Sequence, residues 1–76
     1  MSILARVLSK SELEDGNLKI VVGYFNDDMK VQEEEYVIEN SAVAQGKIKE
    51  TIKVRIKEIQ ESLEKATEIQ EGDVIS

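Results

Sequence analysis

Seven apolar residues, Ile48, Ile52, Ile56, Ile59, Leu63, Ala66 and Ile69, recur through the last third of this chain at helical spacing. From Ile52 the intervals run 4, 3, 4, 3. That is a heptad-like seam with Ile52, Ile59 and Ala66 at d and Ile56 and Leu63 at a. The pattern predicts one long helix over about 41–71, with Asn40 or Ser41 as its N-cap and Gly72 as the C′ residue. About thirty residues of helix extend roughly 45 Å, whereas an eight-residue strand covers only about 27 Å. Packed along a small sheet, such a helix overhangs it, and apolar side chains on the overhang need cover from another chain. Ile56, Ile59, Leu63, Ala66 and Ile69 are therefore the candidate interaction residues. The competing reading makes the stripe the core-facing side of an amphipathic helix. The two combine if the first half lies on the sheet and the second half in an interface.

The charges along this helix are segregated. Lys47, Lys49, Lys53, Arg55 and Lys57 face a single acid, Glu50, whereas Glu58, Glu61, Glu64, Glu68, Glu71 and Asp73 face a single base, Lys65. This order opposes the helix dipole, which favours acids at the start and bases at the end. An antiparallel partner helix would compensate it by laying basic half on acidic half. Without a partner the charges are a solvated face, with Lys57–Glu61 and Glu61–Lys65 as i,i+4 pairs. Gly46 lies inside the helical span, where it marks either a kink or a close approach to the sheet.

Upstream, the period changes to two. Residues 3–13 alternate, with Ile3, Ala5, Val7 and Leu13 on one side and Leu4, Arg6, Leu8, Lys10 and Glu12 on the other. Residues 18–25 place Leu18, Ile20, Val22 and Tyr24 on one face. Between them, Asp15-Gly16 predicts a tight hairpin, and centring the turn there puts Leu13 opposite Leu18 and Glu12 opposite Lys19. A second turn at Asn26-Asp27-Asp28 leads into a third strand over about 30–38. That strand contains Glu33-Glu34-Glu35, which cannot all point away from a core. An edge position and a β-bulge would accommodate them. The fold class expected is α+β: a single ββα-type domain over 1–76, with a three-stranded antiparallel meander (about 3–38) and one long C-terminal helix on one face. The expected core is Val7, Ile20, Val22, Tyr24, Ile38, Ile48, Ile52, Ile56 and Ile59.

Composition narrows the function classes. A chain of 76 residues forms a core near the lower limit of self-sufficiency, and it has neither cysteine nor histidine to staple it. Oligomerisation is the remaining common route to stability. The same absences remove the usual general base, thiol nucleophile and transition-metal ligands. Asn26-Asp27-Asp28 lacks the ligand spacing of an EF-hand loop, and no phosphate-binding glycine loop or nucleophile elbow occurs. The expectation is no enzyme, no catalytic residues, no metal and no cofactor. A net charge of −6 argues against nucleic acid as a general partner, leaving only the basic stretch at 47–57 as a local exception. No apolar run is long enough to span a membrane, and the start lacks the pattern of a signal peptide. This points to a cytoplasmic or virion-associated protein with protein partners.

The stretch Val22-Gly23-Tyr24-Phe25-Asn26-Asp27-Asp28, then Glu35-Tyr36-Val37-Ile38, then the Ile-Lys and Ile-Arg pairs between Ile48 and Ile59, resembles small proteins encoded among the virion assembly genes of tailed bacteriophages and prophages. The resemblance covers about half the chain, from Val21 to Ile59. It implies a non-enzymatic structural or accessory role and assigns no residue roles. The leading expectation is a small interaction or assembly protein, a homo-oligomer joined through the helix stripe. The alternative is an acidic accessory or inhibitor protein that presents carboxylates to a basic host protein, as a nucleic-acid mimic would. A carboxylate-based hydrolase would need paired acids in a concave site, which nothing in the sequence suggests.

Overall fold

The computed structural model describes residues 2–66, 72, 74 and 75. Three strands, β1 (Ile3–Glu12), β2 (Leu18–Asn26) and β3 (Met29–Ile38), are followed by one helix, α1 (Ala42–Ala66). The strands form an antiparallel meander in the order β1-β2-β3. The α+β arrangement is thus a three-stranded sheet with a helix across one face. The expected continuation of α1 to 70 or 71 lies outside the described residues. Gly72 has a positive φ of 91°, a value that favours glycine. Ser41 caps the helix: its Oγ accepts from the Ala44 amide at 3.1 Å, and its carbonyl accepts from Gln45.

The first hairpin corrects the sequence-based register by one residue. Glu12 stands opposite Leu18 and Ser11 opposite Lys19. The loop is longer than a two-residue turn because Leu13 pairs with Asn17, its amide donating to the Asn17 carbonyl and its carbonyl accepting from Gly16. Gly16 has a φ of 88°. A turn closed by a glycine in the left-handed region is the three-residue hairpin loop with a bulge. Asp15 reinforces it by accepting from the Asn17 amide at 3.0 Å.

Two further bulges decide which side chains meet the helix. In β1 the register shifts between Val7 and Ser9. Leu8 is the extra residue, and Lys10 and Glu12 move to the helix side, the reverse of strict alternation. In β3 the shift lies between the partners of Tyr24 and Phe25, with Val31 as the extra residue. Without it, Glu33 and Glu35 would both face the helix. With it, Gln32, Glu34, Tyr36 and Ile38 stand opposite Tyr24, Val22, Ile20 and Leu18, and a single glutamate points inward.

Tyr24 and Val22, both 0% exposed, centre a core completed by Ile3, Leu18, Ile20, Ile48 and Ile59. Ile52, Ile56, Leu63, Ile38 and Tyr36 pack around it, half-buried. Ile3 and Leu18 extend the core beyond the residues expected of it. Val7, an expected member, is 57% exposed. It stands on the correct face of an edge strand that the helix leaves partly uncovered. Gly46 causes neither of the effects expected of it. The helix runs through it unbroken, and a Cβ placed there would meet nothing within 4 Å.

The second face of the sheet carries no element of this chain among the described residues. A Cβ at Gly23 would fall 2.8 Å from Phe25 Cε2 and 3.0 Å from Leu8 Cδ1. The absent side chain therefore lets these two close over the middle of that face. The Arg6 guanidinium lies 5.2 Å from the Phe25 ring centroid, a cation–π distance.

Candidate functional site

The most highly organised polar cluster lies between β3 and α1. Arg55 extends from the helix to the inward-facing Glu34: its Nε donates at 3.0 and 3.2 Å to the two carboxylate oxygens, and Nη2 donates at 2.8 Å to Oε2. Gln32 Nε2 donates to Glu34 Oε2 at 2.7 Å, and the Tyr36 hydroxyl donates to Oε1 at 2.6 Å. The Tyr24 and Tyr36 oxygens are 2.9 Å apart. Because the Tyr36 proton is committed to Glu34, Tyr24 is the donor in that bond. Arg55 Nη1 donates in turn to Glu58 Oε2 at 2.8 Å.

The electrostatics follow from this geometry. The Arg55 guanidinium, with Tyr36 and Gln32, outweighs partial burial and lowers the Glu34 carboxyl from 4.5 to about 2. Burial and the bond to Glu34 push the Tyr36 phenol well above its ordinary value, and burial pushes Tyr24 up as well. The bonds to Glu34 and Glu58 hold Arg55 firmly protonated. A carboxylate supplied by this many donors is a poor base, and phenols held this far up are poor acids near neutrality. The cluster is built to hold an edge strand against a helix.

Sequence reasoning placed Arg55 in a solvated basic stretch and missed this role. The signal was present. Arg55 follows Ile52 by three residues and precedes Ile59 by four, so it lies on the core-facing side of α1. Once one of three consecutive glutamates must face inward, an arginine on the facing side is its natural partner. The helix also pairs Glu50 with Lys53 at 3.2 Å and Arg55 with Glu58 at 2.8 Å, each three residues apart.

The five candidate interaction residues separate along the helix. Ile59 is buried in the chain's own core, and Ile56 and Leu63 are packed against it. Leu63 stands beside Val31 and Gln32 at a shallow cleft near the start of β3, so α1 reaches the end of the sheet within a turn. Ala66 is the last described residue of α1, and Ile69 lies outside the described residues. The acid clusters do not converge on one face. Glu12, Glu14 and Asp15 lie at the β1–β2 loop, while Asp27 and Asp28 lie at the turn beyond the opposite end of β2.

Other apolar surface is exposed. On the uncovered sheet face, Leu4, Leu8 and Val37 flank the half-buried Val21 and Phe25. Lys19–Glu35 at 2.7 Å and Lys30–Glu33 at 3.0 Å edge that face. Among the described residues no helix is long and apolar enough to cross a membrane. No family model, curated protein or solved structure matches the chain.

Proposed function

We propose that this chain is a small non-enzymatic interaction and assembly protein that self-associates through the distal part of its helix stripe. The virion-component role implied by the phage resemblance is one setting for it. The observation that carries the reading is the division of the stripe. Ile48 and Ile59 are consumed by the chain's own core, and Leu63 is only half-buried where the sheet runs out. The apolar spacing nevertheless continues in the sequence to Ala66 and Ile69. The one elaborate polar cluster among the described residues serves packing, which favours assembly over chemistry.

Light scattering on the full chain at about 50 mM and about 500 mM salt tests the reading, since charge pairing is screened at the higher value and apolar contact is not. The expected result is an oligomer at both salts that Ile69→Asp reduces to monomer. A monomer at both salts overturns self-association.

A further inference from the structure

The bulge at Leu8 creates a feature that the described residues leave uncovered. By turning Lys10 to the helix side, it sets that lysine at the rim of a cleft of about 150 Å3 between β1 and the first half of α1. Val7, Ile20, Ile48 and Ile52 form the floor, and Lys10 and Lys49 flank it. Val7 is 57% exposed there. The Lys10 ammonium is held in place by donating to Gln45 Oε1 at 3.1 Å. An apolar floor between two cations suits a short apolar segment bordered by acids.

The chain carries such a segment. Val74 and Ile75, 93% and 79% exposed, are its most exposed large apolar residues among those described. Glu71 and Asp73 immediately precede them in the sequence. We propose that this cleft receives the Val74–Ile75 segment of a second copy of the chain, with Glu71 and Asp73 set against Lys10 and Lys49. The proposal rests on the self-association reading and gives it a second contact.

A second copy is favoured over the same chain by reach. The cleft is lined by Ile48 and Ile52, and from Ile48 the helix carries the backbone about 27 Å away before Ala66. Val74 follows Ala66 by only eight residues, a stretch that spans about 27 Å at full extension. An intrachain return would take about 21–27 Å of it, run nearly straight back along the helix. In an antiparallel pair no return is needed. The acidic end of each copy lies at the basic half of the other, and a two-fold axis makes the exchange reciprocal.

The absence of cysteine from the chain permits a direct test by disulfide trapping between two full-length variants. Val7→Cys and Ile75→Cys chains are mixed and oxidised, and the heterodisulfide is quantified by mass spectrometry. A Val43→Cys chain, exposed on the same helix but outside the cleft, serves as control partner. The expected result is about tenfold faster trapping of the Val7→Cys chain than of the Val43→Cys chain, abolished by adding Lys10→Glu and Lys49→Glu to the Val7→Cys chain. Equal trapping of both partners, with the unmodified chain oligomeric in light scattering, overturns the exchange and leaves self-association standing. A monomeric unmodified chain overturns both.

Discussion

Glu34 is the residue on which the most interactions converge. Its carboxyl titrates near 2 in the folded chain against an ordinary 4.5. A folded value below the unfolded one stabilises the protein above the unfolded pKa, and that contribution is lost as pH falls through the folded one. The depression corresponds to roughly 3 kcal/mol at neutral pH, an upper figure for a cluster that keeps some contact with solvent. Urea midpoints are expected to hold steady from neutrality to about pH 5 and to fall between 4.5 and about 2. Glu34→Gln should lower stability at pH 7 by about 2 kcal/mol, because Arg55 keeps only Glu58 as a counter-charge and Tyr36 loses its charged acceptor. It should also flatten the acid limb. An unchanged acid limb in that variant would mean that other carboxylates set the pH dependence.

At the scale of elements, the bulge at Val31 and the run through Gly46 make opposite claims. Deleting Val31 removes the extra residue, so β3 pairs with β2 without a shift while Gln32, Glu34, Tyr36 and Ile38 keep their places opposite Tyr24, Val22, Ile20 and Leu18. The variant loses the packing of the Val31 side chain against the core but keeps the Glu34 cluster. The expected outcome is a cooperative transition at reduced stability, with the near-ultraviolet circular dichroism of Tyr24 and Tyr36 retained. Loss of that signal would show that the bulge itself is needed to hold the cluster. Gly46→Ala should instead stabilise the chain by about 1 kcal/mol, since the backbone is helical and the site open. Thermal denaturation checks this, and a fall in Tm would reveal a contact that the open site does not predict.

For the whole molecule the decisive contrast is between two positions of one stripe. Leu63→Asp places a charge against the chain's own core, because Leu63 packs on it. It should cost about 2–3 kcal/mol of stability whatever the assembly state. Ile69→Asp should alter mass in solution while leaving Tm, measured at a concentration where the chain is monomeric, within about 2 °C. If both variants lower Tm equally, the distal stripe belongs to the fold and not to an interface.

The sequence by itself determined the elements and their class. Alternation in Leu18, Ile20, Val22 and Tyr24 specified β2 and its buried face, and the three- and four-residue spacing from Ile48 specified the helix. These are local periodicities, each set by backbone geometry and readable without knowing what lies opposite. The tertiary structure decided the register of the first hairpin, the positions of the bulges at Leu8 and Val31, and therefore which charges point inward. Lys10 at the cleft, Glu34 under the helix and Arg55 as its partner all follow from those bulges. A bulge is favoured or rejected by the summed packing and pairing of two strands and a helix together. No single stretch of the chain contains that sum.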